Sequence, residues 1–299
     1  MTAPSPNFVV IGAAKAGTTS LYGWLAQHPD IFLPRQKELH FFAAPWLREN
    51  SKGPGDARVL QDLAPTWEAY LAHYRDAGGR KAVGDISPSY FSWWPSRDAI
   101  RERLGDPKII LLLRDPVQKA FSQYTHLIRD GREKLLFWEA LQAESKRKAR
   151  GFGALWRYLE SSCYADPTER FLEVFGRERM KVLFFEDLAR DPQATLREIF
   201  AFLDVNPIVS IDTSEVRNRS GAPRSKLLAA AVNDPRLRRI ARSLLPAHVV
   251  ARLGSKATEL NTGAKPDLDD RSRAYLLKHT LQDRRRLAKL LGRPLAWLV

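Results

Sequence analysis

A short apolar run, Phe8-Val-Val-Ile11, ends at Gly12 and passes through a second glycine, Gly17, into Thr18-Thr-Ser-Leu21. The run is β-branched and bounded by glycine, which predicts a buried strand. Thr18 to Gln27 predicts a helix with Leu21, Trp24 and Leu25 on one face. A strand that turns through glycines into a helix N-terminus points to an α/β design, and such a turn can hold an oxyanion on backbone N–H groups. Lys15 and Ala16 lie inside the loop, and Thr18, Thr19 and Ser20 add hydroxyls. Gly12, Gly17 and Thr19 have the spacing of a P-loop, G-x-x-x-x-G-K-[ST], but Thr18 stands at the lysine position. The loop therefore reads as a degenerate nucleoside-triphosphate site, an ordinary glycine turn, or an intact site for another anion.

The rest of the chain repeats the alternation. Ala82–Asp85, Lys108–Leu113 and Met180–Phe185 predict strands, and Val117–Arg129, Pro167–Phe175 and Pro192–Phe202 predict helices. This gives α/β with a mainly parallel central sheet flanked by helices, as one domain over residues 1–299. Arg48–Asp56 and Asn206–Pro223 read as loops. From Arg224 onward the spacing of Leu227, Leu228, Ala231, Leu237, Ile240 and Leu244 predicts helix.

The formal net charge of +14 and a pI near 10.0 call for an anionic partner. Much of it lies in Arg132–Arg150, Arg236–Arg239 and Arg284–Arg286, runs that ordinarily form solvated helix faces. No nucleic-acid-binding module is recognisable, so nucleic acid is not the expected partner. Cys163 is the one cysteine, which excludes an internal disulfide framework. No run of about 18 apolar residues predicts a membrane span, and the polar start MTAPSPN does not read as a secretory signal. The expected location is cytoplasmic.

Three segments together resemble the sulfotransferases that use 3′-phosphoadenosine 5′-phosphosulfate. Lys15-Ala-Gly-Thr-Thr-Ser-Leu21 looks like that family's 5′-phosphosulfate loop. Arg114-Asp-Pro-Val-Gln-Lys-Ala-Phe-Ser122 is similar to its 3′-phosphate motif, a strand end followed by Arg-x-Pro and a serine eight residues after the arginine. Lys37-Glu-Leu-His-Phe-Phe42 resembles the KE-x-HFF segment of the heparan-type glycosaminyl enzymes and their bacterial relatives, and the Leu290–Trp297 ending has a bacterial look. The resemblance implies a P-loop-kinase-like sulfotransferase fold, a phosphosulfate donor, no metal, and a small-molecule, lipid or glycan acceptor.

It also implies roles. Lys15 would neutralise the oxygen bridging phosphate and sulfate, and the loop from Ala16 to Ser20 would hold the 5′-phosphate; helix capping is the alternative for Thr18 and Thr19. Arg114 and Ser122 would bind the 3′-phosphate, with Lys119 assisting; the alternative for Arg114 is a pair with Asp115 or Asp85. Arg224 and Ser225 would close over the nucleotide, and Tyr164 would lie near the adenine. Glu38 is the candidate general base, with His40 and His126 as rivals. Ile86 stands where several heparan-specific enzymes carry lysine, which counts against a polyanionic acceptor. Trp46, Trp93 and Trp94 suggest an apolar or sugar-stacking acceptor pocket, or core aromatics. The competing function is a P-loop kinase or NTPase with a degenerate loop, which Thr18 and Arg114 oppose.

Overall fold

The apolar runs become the strands of one parallel sheet, β1 Phe8–Gly12, β2 Ile31–Phe32, β3 Ala82–Ile86, β4 Lys108–Leu113 and β5 Met180–Phe184, in the order β2-β3-β1-β4-β5. The structure, a computed structural model, describes residues 4–214, 225, 232, 247–261, 263–264 and 266–298. β1 is buried throughout and β4 from Ile109 to Leu113, as expected of continuous apolar strands in a parallel sheet covered by helices. β2 has two residues, too few for a periodic signal, and sequence reading does not find it.

The order fixes where a ligand can bind. The chain leaves β1 for β2, returns through β3, then crosses β1 to continue outward through β4 and β5. The segments after neighbouring β1 and β4 diverge, which opens a crevice at their carboxyl ends. The loop after β1 and Arg114 after β4 meet there.

The helices Thr18–Leu25, Pro116–Arg129 and Pro192–Phe202 follow the expected positions, and the one expected at 167–175 lies within Ala165–Arg179, which is broken by a kink at Gly176 (φ 72°) just past the expected end. The expected loop at 48–56 is shortened, because a helix covers Ala44–Glu49 and a 3-10 turn starts at Asp56. Helices Ala247–Leu260 and Asp270–Leu291 agree with a helical C-terminal third. The apolar positions named between 227 and 244, and Arg236–Arg239, lie outside the described residues.

The basic runs are not wholly solvated. Arg147 is buried and donates to both oxygens of Glu133, at 2.6 and 2.9 Å. Arg284 is 4% exposed and donates to the carbonyls of Trp297 and Leu277. Buried guanidinium groups persist where a carboxylate or carbonyls meet their fork. The C-terminal helix also carries Asp283, which accepts from the backbone N–H groups of Tyr164 and Ala165 at 2.7 and 2.9 Å. Trp297 packs edge-on against Tyr164 and Phe184. The chain's end thus braces the element behind Arg114.

Candidate active site

Gly17 caps the Thr18–Leu25 helix with φ 96°, and no side chain caps that N-terminus. A Cβ at Gly17 would come within 3.0 Å of the Phe185 ring, so glycine is required for space as well as for torsion. The first-turn N–H groups are thereby left to an anion at the positive end of the helix. Thr18 and Thr19 therefore do not act as the cap. Lys15 sits at φ 69° within the turn. Its pKa is lowered to about 8, first by burial and then by repulsion from Arg129 and Arg114, against the pull of Asp130 and Glu38.

Arg114 extends from the end of β4. Its Nη1 donates to the Lys15 carbonyl at 3.1 Å, and its guanidinium lies 4.4 Å over the Phe185 ring. Burial lowers its pKa, and Glu186 is the first charge to oppose that. No pairing with Asp85 or Asp115 is formed. Asp85 accepts from Ser87, Tyr70 and Tyr90, and Asp115 caps the Pro116–Arg129 helix through the N–H of Gln118 at 2.8 Å. Ser122 lies within that helix and faces the same cavity as Arg114.

The Lys37–His40 turn forms the opposite wall. Glu38 and His40 both take left-handed torsions, φ 63° and 54°. Strain of this kind persists where the surroundings over-determine it. Here the N–H of His40 donates to Ser87 Oγ at 3.1 Å, and Ser87 donates to the buried Asp85 at 2.7 Å. Tyr70 and Tyr90 donate to the other Asp85 oxygen. Burial raises the Asp85 pKa while these hydroxyls oppose the rise.

Glu38 Oε1 accepts from Lys37 Nζ at 2.5 Å, and Oε2 is 3.6 Å from His40 Nε2. That contact is longer than a well-formed hydrogen bond. Burial raises the Glu38 pKa, but His40 and Lys37 outweigh it and bring the value to about 2. The Glu38 side chain keeps 38% of its surface accessible, which limits the burial effect. That lowering keeps it a carboxylate near neutral pH.

His126 faces the cavity, but its acceptor nitrogen is occupied. Arg129 Nη2 lies 2.7 Å from Nδ1, and because guanidinium only donates, Nδ1 must accept. Nε2 then carries the proton in the neutral ring, 3.6 Å from Asp130. Burial, then Lys15, Arg129 and Arg132, holds the His126 pKa well below its ordinary value, so the ring is neutral.

One cavity of about 530 Å³ unites these parts. Lys15, Gly17, Thr18, Thr19 and Ser20 line it from the first loop, Arg114 and, on the helix after β4, Ser122 and His126 from the β4 side, and Glu38 and His40 from the opposite wall. Ala16 is wholly buried and does not line the cavity. Lys119 does not line it. Its ammonium donates to the carbonyl and hydroxyl of Ser161, and burial lowers its pKa to about 7. Tyr164 is buried beneath Arg114 and donates to its carbonyl at 2.9 Å, so it supports the arginine from behind. Ser225 exchanges hydrogen bonds with Asn261 away from the cavity lining, and Arg224 lies outside the described residues.

Of the tryptophans, Trp46 lines the cavity. Trp93 packs on the core, and Trp94 lies under Arg97 and Arg170 at 4.5 and 5.4 Å. Three features of the site escape the sequence: the Lys37 bridge to Thr19, the Arg129–Asp130 clamp on His126, and the ion pair of Arg132 with Asp56. Their partners are separated by up to 76 residues and share no motif. Among the described residues no group of three or more His, Cys, Asp or Glu side chains is arranged for a metal, and no helix is long and apolar enough to cross a membrane.

Residues 6–208 match the model of the sulfotransferase family. The chain belongs to that family. It is 30% identical over 209 residues to mouse heparan sulfate glucosamine 3-O-sulfotransferase 3B1, covering 69% of this chain and 47% of that protein. With mouse carbohydrate sulfotransferase 15 it shares 26% over 256 residues, covering 68% and 44%. The chain thus spans about half the length of these curated relatives. A crystal structure of a sulfotransferase from Alicyclobacillus acidocaldarius superposes with TM-score 0.79 at 33% identity, covering 98% of this chain and 99% of that one. The fold is the P-loop-kinase-like sulfotransferase fold, an α/β arrangement with a five-stranded parallel sheet flanked by helices.

Proposed function

We propose that the protein transfers a sulfuryl group from 3′-phosphoadenosine 5′-phosphosulfate to a hydroxyl, or an amine, of a small-molecule, lipid or glycan acceptor. What carries this reading is the meeting, in one cavity, of Lys15 and an uncapped helix N-terminus, of Arg114 with Ser122, and of the Glu38 carboxylate. Those residues fit the donor's two anionic ends: N–H groups and a lysine for the phosphosulfate, a guanidinium fork and a hydroxyl for the 3′-phosphate.

The donor supplies a sulfuryl group already attached to a good leaving group. Thr18, Thr19 and the helix N-terminus hold the 5′-phosphate. Lys15 stands where negative charge grows as the sulfur–oxygen bond to that phosphate breaks, and the electron pair stays on the phosphate oxygen. Glu38 takes the acceptor's proton while the acceptor oxygen bonds to sulfur. His126 is less suited, because its lone pair is held by Arg129, and His40 braces Glu38. The names of the relatives favour a carbohydrate hydroxyl among the possible acceptors. Ile86, and the commitment of Arg129 and Arg132 to Asp130 and Asp56, weigh against a polyanion.

Calorimetry with adenosine 3′,5′-bisphosphate and 5′-AMP tests the donor. The bisphosphate should bind far more tightly, and Arg114→Ala should weaken it by about 1.5–3 kcal/mol, the worth of hydrogen bonds to a charged group. Binding of 5′-AMP should fall less, by only what the loop loses with the Arg114 bond to the Lys15 carbonyl. Equal affinity of the unmodified protein for both nucleotides would sink the assignment. Mass spectrometry for sulfated products, after incubating a metabolite extract with protein and donor, would identify the acceptor.

A further inference from the structure

Lys37 connects the two halves of the cavity. Its ammonium donates to Thr19 Oγ1 at 3.0 Å and to Glu38 Oε1 at 2.5 Å, so one cation touches both the donor-side helix and the carboxylate opposite. Thr19 and Glu38 line the cavity, and the Lys37 side chain is only 18% exposed. Few conformations are therefore open to it, and both of its contacts lie along the boundary between the two halves. An ammonium has three donors arranged around a point charge, so it can turn toward a new anion without moving its stem far.

We propose that Lys37 is a donor-sensing residue: it is shared between Thr19 and Glu38 in the structure, and it turns onto the 5′-phosphate of a bound donor, releasing Glu38 as the base. This rests on the phosphosulfate reading of the site and assigns a part that the donor and base residues do not cover. The physical ground is competition. A donor's phosphosulfate at the uncapped helix N-terminus carries one negative charge on phosphate and another on sulfate, more together than one carboxylate, and its site lies beside the hydroxyl that Lys37 already touches. While the ammonium is on Glu38, it opposes proton uptake by that carboxylate. Once it turns, Glu38 loses its shortest contact and becomes more basic when an acceptor proton must be taken. Lys37 thereby makes base strength depend on donor occupancy and contributes to donor affinity.

The test is binding of adenosine 3′,5′-bisphosphate by calorimetry, a readout independent of turnover. Lys37→Met should weaken it about tenfold, as for loss of a hydrogen bond to a charged group, and Lys37→Arg should restore most of the affinity. Glu38→Gln should tighten binding, because the ammonium is no longer shared, and the tightening should shrink in the Lys37→Met background. Weak binding by the unmodified protein would overturn the donor reading and this inference together. Tight binding by the unmodified protein, with equal binding by a cooperatively melting Lys37→Met variant, would overturn this inference alone. So would a Glu38→Gln gain of the same size with and without Lys37, since that reports only the loss of a repelling charge. Should Lys37→Met fail to fold, Lys37→Gln takes its place, alone and combined with Glu38→Gln, and the same outcomes support or overturn the inference.

Discussion

Lys15→Ala should cost about 10²–10³-fold or more in turnover with every acceptor, as for removal of one preorganised group that stabilises developing charge. Every acceptor requires the same sulfur–oxygen bond to break, so changing the acceptor should not rescue the variant. The turn that holds Lys15 at φ 69°, and the Arg114 bond to its carbonyl, preorganise the ammonium. The same surroundings cost it proton affinity. Burial, then Arg129 and Arg114, brings its pKa to about 8. The active form is the cation, and the pKa is lowered, so donor capture should fall as pH rises through about 8. A bound anionic donor favours the cation, so the alkaline limb of kcat should lie above that of kcat/KM for the donor. Lys15→Arg should carry the limb out of the assay range, because guanidinium stays charged. Initial rates against pH for both proteins decide this. An unchanged limb in the Lys15→Arg variant would assign the titration to another group.

Local segments that carry their own signal were legible in the sequence. β1 and β4 are continuous apolar runs, and the loop between β1 and its helix is fixed by two glycines and three hydroxyls in fixed order. Direction within a helix was harder to read. Lys119 and Ser122 are three residues apart on one helix, yet only Ser122 reaches the cavity, while Lys119 turns to Ser161 on a turn 42 residues away. Tyr164 is near Arg114, as the resemblance implies, but its hydroxyl bonds to the backbone of that arginine from beneath. Among the tryptophans, short-range sequence cannot separate Trp46, which reaches the cavity, from Trp94, whose partners Arg97 and Arg170 come from two other helices. From the sequence, Glu38 also lies outside the donor motifs, so its replacement should leave bisphosphate binding unchanged. The Lys37 bridge alters that expectation, because it ties Glu38 to Thr19 by two contacts of one ammonium.

Glu38→Gln separates proton removal from leaving-group departure. The substitution keeps shape and hydrogen-bonding length but removes the base. With an alcohol acceptor it should cost about 10²–10⁴-fold in turnover, the usual worth of general base catalysis. With a nitrophenol acceptor already largely ionised at the assay pH it should cost much less, since no proton remains to be taken. Lys15→Ala should cost similar factors with both acceptors, so the two variants should give opposite selectivity patterns. The pH profile adds a second mark. With the Glu38 pKa brought to about 2 by His40 and Lys37 over the opposing effect of burial, Glu38 stays ionised and should contribute no acidic limb near neutrality in the free enzyme. Any limb near pH 6 to 7 would belong to another group, and His126, held neutral well below its ordinary value, should not supply it either. Both acceptors must be turned over by the unmodified protein for the comparison to be made. If Glu38→Gln retains alcohol sulfation while His40→Ala or His126→Ala abolishes it, the base is one of the histidines. The Lys37–Glu38 contact would then serve to hold the turn, with Asp85 and Ser87, rather than to govern proton transfer.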